Sequence, residues 1–201
     1  MRNVKKKRLL ALLLEMDKDN KTKSALAKKI GSSRTWIIKF LREMTEKKYV
    51  RDFEVINPKA IFDLFHLLQN KKRTVRSYSI ADTPAFLNWM IMTKVKREYA
   101  FTTYQAENMV QQYLFPHKIE FYVKKEDVEA WHHDLSAKGL YGGGNVSLIV
   151  EEYDELFNKR KIGKWWIVNI PQLISDLFRE NGPATEAGEM LFEKMVLTIK
   201  K

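Results

Sequence analysis

The sequence predicts an α+β chain, with a small helical N-terminal domain followed by a mixed α/β C-terminal domain. Three observations point there. First, residues 1–51 hold 16 Lys and Arg against 5 Asp and Glu, so the whole net charge of +11 sits in the first quarter. Second, residues 22–47 read as two short helices joined at a glycine. Third, strand-like and helix-like stretches alternate from Ser77 onward, which is the pattern of a sheet with packed helices. The body carries equal numbers of the two charges. A basic module joined to a neutral one fits a polyanion-binding head on a separate body.

Composition bounds the class. With 201 residues, 45% hydrophobic and 30% charged, the chain is globular and long enough for two small domains. There is no cysteine, so disulfides and thiolate metal sites are excluded, and a reducing, cytoplasmic setting is expected. No apolar run approaches the roughly 20 residues of a membrane span. Lys5-Lys6-Lys7-Arg8 followed by six apolar residues imitates a signal peptide. The run ends at Glu15 without a small-residue cleavage site, and is read as the first helix of the folded domain.

That helix is expected over residues 3–16, with Leu9, Leu12, Leu13 and Met16 on one face. Thr22 is a natural N-cap for a helix ending at Ile30. Leu26 points to the core, Ala27 permits close approach, and Gly31 closes the helix in a left-handed turn. Ser33 caps a third helix running to about Lys47. At about 100° per residue, Ile37, Leu41 and Met44 form a buried stripe, with Thr35, Lys39 and Arg42 opposite. Trp36 fits either packing beside the first helix or lying against a sugar. Residues 49–51 and 53–56 alternate as short strands with no room for a long wing. Asn57-Pro58 then opens a helix through Gln69, proline being tolerated in the first turn. The unit is thus an N-terminal winged helix-turn-helix domain over residues 1–69, expected to bind double-stranded DNA.

An apolar back and a polar, cationic front are what a recognition helix needs. The DNA-binding candidates are Lys28, Lys29, Ser32, Ser33, Arg34, Thr35, Lys39, Arg42 and Arg51. Arg34 and Lys39 are best placed for base edges. Lys28, Lys29 and Arg42 suit phosphates, which position without reading sequence.

Residues 70–76 form a basic linker with four cations, read either as added phosphate-binding surface or as a solvated connector. In the 77–201 domain, helices are expected near residues 84–94, 103–113, 126–137, 171–179 and 185–200. Strands are expected near 75–80, 118–123, 146–150 and 165–169. Little chemistry stands out. His132 and His133 are adjacent on a helix and diverge, His117 lacks a ligand partner, and His66 reads as a packing or surface residue. Gly142-Gly143-Gly144 lacks the context of a phosphate loop and reads as a flexible turn. Residues 151–155, Glu-Glu-Tyr-Asp-Glu, are a candidate cation site or simply solvated turn charges. No catalytic residues, metal site or cofactor are assigned. The last helix is apolar on more than one face, which would suit a homodimer.

Three further segments carry a resemblance. Residues 165–177, Trp-Trp-Ile-Val-Asn-Ile-Pro-Gln-Leu-Ile-Ser-Asp-Leu, lead to Glu186-Ala187-Gly188-Glu189-Met190-Leu191. Residues 99–106 begin Tyr99-Ala100-Phe101-Thr102-Thr103 and end at Ala106. Residues 55–60 run Val55-Ile56-Asn57-Pro58-Lys59-Ala60. In this order they resemble AbiEi-type transcriptional regulators, the antitoxins of type IV toxin–antitoxin systems. The chain departs from that pattern at Thr103, where glycine is frequent, and in its very short wing. The resemblance implies a winged helix that represses its own operon and a C-terminal antitoxin domain without enzymatic chemistry. It implies no tight toxin complex. The alternative from another class is a nucleic-acid-modifying or nucleotide-binding enzyme that uses the head for targeting.

Overall fold

A computed structural model describes residues 2–15, 22–51, 53–69, 72–92 and 97–199. The N-terminal part is α1 (Arg2–Glu15), α2 (Lys23–Ile30), α3 (Arg34–Glu46), β1 (Val50–Arg51), β2 (Glu54–Val55) and α4 (Pro58–Leu67). The caps explain the boundaries. Thr22 Oγ1 accepts the Ala25 amide at 3.1 Å, and Asn57 Oδ1 accepts that of Ala60 at 3.0 Å. β1 and β2 pair antiparallel over two positions, Val50 with Val55 and Arg51 with Glu54.

α1 departs from the expected single stripe. Residues 9–14 are six consecutive buried positions, Leu10, Ala11 and Leu14 as well as Leu9, Leu12 and Leu13. Met16 lies outside the described residues. The reason is packing on both sides, against α2 and α4 of its own part and against two C-terminal helices. A helix that is apolar all round has no solvent face to keep.

The C-terminal part comprises β3 (Val75–Ser79), α5 (Thr83–Met92), β4 (Tyr99–Thr102), α6 (Thr103–Val110) and β5 (Ile119–Val123). It continues with α7 (Val128–Ser136), β6 (Leu140–Tyr141), β7 (Val146–Val150), β8 (Arg160–Ile162), β9 (Trp165–Ile167), α8 (Ile170–Leu177) and α9 (Pro183–Ile199). Seven strands form one mixed sheet in the order β6-β3-β7-β5-β4-β9-β8. The β5–β7 and β4–β9 pairs are parallel and the others antiparallel. The central strands β4, β5 and β7 are buried at every position, as a sheet covered on both faces requires. On one face Tyr99 and Phe121 meet Trp131 of α7, and Phe121 also meets Phe86 of α5. On the other, Thr102 and Tyr122 reach α8, which is buried over Pro171 to Leu177. The helices α1 and α4 pack on this second face through α8.

Two expectations about the connections change. In the 70–76 segment, residues 70–71 lie outside the described residues and Lys72 is exposed. Arg73, however, pairs with the buried Asp176, and Arg76 already belongs to β3 and bonds Glu129. Those two arginines are therefore structural ties. In the triple-glycine turn Gly142 and Gly143 have open space around them, but Gly144 is hemmed in. A Cβ on Gly144 would sit 2.1 Å from the Tyr78 carbonyl oxygen, so a side chain is excluded where the turn crosses β3.

Candidate nucleic-acid interface

The α2–α3 turn is built by backbone geometry. Gly31 takes φ 68 and ψ 47, and the Ser32 amide donates back to the Ala27 carbonyl at 2.9 Å. That bond and the Gly31 amide donating to the Lys28 carbonyl at 3.3 Å satisfy carbonyls at the end of α2. Ser33 Oγ accepts the Trp36 amide at 3.2 Å, so this candidate hydroxyl serves first as the cap of α3. Ile37, Leu41 and Met44 are buried, and Phe40 joins them. Trp36 is half-buried and stacks on Phe40 of its own helix with centroids 5.4 Å apart.

Lys28, Ser33, Arg34, Thr35, Lys39, Arg42 and Arg51 are exposed, and Lys29 and Ser32 are half-buried. Thr35, Lys39 and Arg42 follow one another at four and three residues and share a face. Arg34 stands at the first turn of α3, beside the turn itself. Among the described residues, none of the six cations in this set is paired with a carboxylate. Arg51 differs from the rest in facing Glu54 across the β1–β2 ladder.

Two cations of the N-terminal run behave otherwise, through partners far away along the chain. Lys7 is buried, with Nζ 3.0 Å from Glu155 Oε1 and 2.8 Å from the Tyr153 carbonyl. Burial draws its ammonium below the ordinary lysine value, against the pull of Glu155. Arg8 grips Asp154 with two nitrogens and donates from Nη1 to the Ile30 carbonyl at 3.1 Å. The acidic segment 151–155 is thus neither an open cation site nor a solvated turn. It holds the chain's own Lys7 and Arg8. Glu155 also accepts the amides of Glu152 and Tyr153, which folds the segment on itself.

A second buried polar centre lies on α8. Asp176 accepts from Thr102 Oγ1 at 2.5 Å, Gln172 Nε2 at 2.7 Å and Tyr122 OH at 3.3 Å, besides pairing with Arg73. Gln172, Asp176 and Thr102 come from two of the segments that carry the AbiEi-type resemblance, and here they form one network. A crevice of about 250 Å³, counted with its solvent-open part, lies beside it between Gln69, Arg73, Tyr122 and Arg179.

Three of the four histidines make ring or hydrogen-bond contacts, and His133 is exposed. His66 Nδ1 lies 2.8 Å from Ser175 Oγ and its ring meets those of Phe62 and Phe178. His132 Nδ1 lies 2.8 Å from Tyr78 OH, and His117 meets the Tyr104 ring edge-on. Among the described residues, no three His, Cys, Asp or Glu side chains are grouped to hold a metal, and no helix is long and apolar enough to cross a membrane. No family model, curated protein or solved structure matches the chain.

Proposed function

We propose that this chain is a sequence-specific DNA-binding transcriptional regulator. In this reading residues 2–69 act as a winged helix-turn-helix with α3 in the major groove. One observation carries the reading. Lys7, Arg8, Arg73, Arg76, Arg97 and Lys118 are bound to carboxylates, whereas along α2 and α3 no cation has a carboxylate partner among the described residues, and Lys28, Arg34, Lys39 and Arg42 are exposed. Positive charge left to water on one face, above an apolar back, supports contact with a polyanion.

The roles follow from position. Arg34 and Lys39 project from the first two turns of α3 and take base edges. Lys28, Lys29 and Arg42 take phosphates, with Ser32, Thr35 and Arg51 beside them. The AbiEi-type resemblance adds autorepression and an antitoxin role, and makes the chain's own promoter the operator to test. Its departure at Thr103 has a physical counterpart. Thr103 stands at φ 46, a left-handed backbone where glycine is the easy choice, and its Oγ1 donates to Glu120 at 2.6 Å.

The test is fluorescence anisotropy of the full chain on promoter and random duplexes over a salt range. Lys28→Ala, Lys29→Ala and Arg42→Ala should weaken both duplexes and lower the salt slope by about 0.9 per lost contact. Arg34→Ala and Lys39→Ala should lose roughly 1–3 kcal/mol on the promoter site and far less on random sequence. Absence of salt-dependent duplex binding by the wild type would overturn the proposal.

A further inference from the structure

The body's charge balance of zero conceals a local excess. Several of its acids are taken by cations: Asp176 by Arg73, Glu129 by Arg76, Asp134 by Arg97, Glu120 by Lys118, and Glu98 by both Lys124 and Lys159. Asp154 and Glu155 are taken by Arg8 and Lys7. Three exposed cations without a carboxylate partner stand close together on the β8–β9 hairpin. Its strands pair Arg160 with Ile167, Lys161 with Trp166 and Ile162 with Trp165, and Gly163 at φ 57 turns the chain. Arg160, Lys161 and Lys164 are exposed there, with no carboxylate partner among the described residues.

The hairpin is fastened to the helical head. The Glu15 carboxylate, at the end of α1, accepts from the side chain of Asn158 and from the Ile170 amide at 3.1 Å. Those two groups lie just before β8 and just after β9. Arg8 Cζ lies 4.9 Å over the Phe157 ring, in the same approach to β8. Arg160 follows two residues after Asn158, so the hairpin leaves directly from the segment that holds the end of α1. The base of the hairpin is thereby anchored beside the helical head.

The geometry points to the β8–β9 hairpin as a second contact to the DNA phosphate backbone, made by Arg160, Lys161 and Lys164 beside the helix-turn-helix. The inference rests on the DNA-binding reading above and adds a site to it. It also accounts for the two-residue strands β1 and β2: a hairpin from the body supplies the flanking contact that this short ladder does not extend to make. An edge strand carries lysines for another reason as well, because charge there blocks edge-to-edge association. That role would leave DNA binding untouched, which separates the two.

The experiment measures anisotropy of the full chain on promoter and random duplexes between 50 and 200 mM salt. The variant is R160Q/K161Q/K164Q, compared with the equally charge-depleted K125Q/K138Q/K194Q on the two flanks of α7 and on α9. The hairpin variant should lower the salt slope by about 2.7 on both duplexes, so its deficit against the wild type changes about 40-fold across that range. K161Q alone should lower the slope by about 0.9, and thermal melting should be unchanged because all three side chains are exposed. An unchanged slope, or an equal fall in the control variant, overturns the inference and leaves the helix-turn-helix reading standing. A wild type without salt-dependent binding removes both.

Discussion

Replacing Lys7 by methionine tests how firmly α1 is held by the C-terminal part. The side chains of Lys7 and Glu155 are 5% and 7% exposed, so neither charge has water to fall back on. Methionine keeps the length and most of the volume and removes the ammonium. Glu155 is then left with two backbone donors, the Glu152 amide at 3.1 Å and the Tyr153 amide at 3.0 Å, and the Tyr153 carbonyl loses the lysine. Breaking one side of a buried pair costs about 3–5 kcal/mol, far above the fraction of a kcal/mol expected for an exposed pair such as Lys59–Asp63. Adding Glu155→Gln removes the stranded charge but keeps an oxygen for both amides, so the double variant should recover at least half of the loss. Urea unfolding reads this as a shift in midpoint at constant slope. A cost for Lys7→Met below about 1 kcal/mol, or a double variant that merely adds the two single losses, would refute the reasoning.

Two other outcomes are expected. Burial, with Asp154 and Glu155 adding repulsion, pushes the Glu151 carboxyl up to about 7 from an ordinary 4.5. An acid with a raised folded value binds more protons when folded, so stability falls as pH rises from about 4.5 to about 7 and is level above. Glu151→Gln keeps an acceptor for the Leu156 amide and should therefore gain about 1–2 kcal/mol by pH 8 and almost nothing near pH 4; a gain independent of pH contradicts this. Gly144→Ala should destabilise by about 1–3 kcal/mol or more, since the new Cβ meets Tyr78 backbone, whereas Gly143→Ala meets nothing within 4 Å and should stay within about 0.5 kcal/mol. Equal melting temperatures for the two alanine variants would contradict the crossing described at β3.

The sequence announced what is decided locally. Thr22, Gly31, Ser33 and Asn57 act within a few residues of themselves, so the ends of α2, α3 and α4 could be placed from the chain alone. The stripe of α3 was legible because one of its sides faces water. α1 was misread for the opposite reason, since a helix between two layers offers no polar side to reveal its phase. β4, β6 and β8 were not singled out, being four, two and three residues long, too short for a period to show. Charge counting found the basic head but not the fate of Lys7 and Arg8, whose partners stand 148 and 146 residues away. The cationic hairpin escaped notice because its strand stood in a region summed as neutral. Only the pairing of β8 with β9 brings Arg160, Lys161 and Lys164 together on one projecting hairpin.

The central position of α1 also means that the helical head cannot be lifted out intact. A fragment ending at α4 would turn toward water whichever of residues 9–14 α8 and α9 had covered, forfeiting about 1.5–3 kcal/mol for each leucine fully uncovered. It would also leave Lys7 without its anion and free Arg8 from the Asp154 that steadies it against the last carbonyl of α2. A swap of this module onto a foreign body would have to bring a matching acidic strap with it. Selection on the strap is then selection on the pose of α2 and the helix that follows it, even though no strap residue touches α3's outer face.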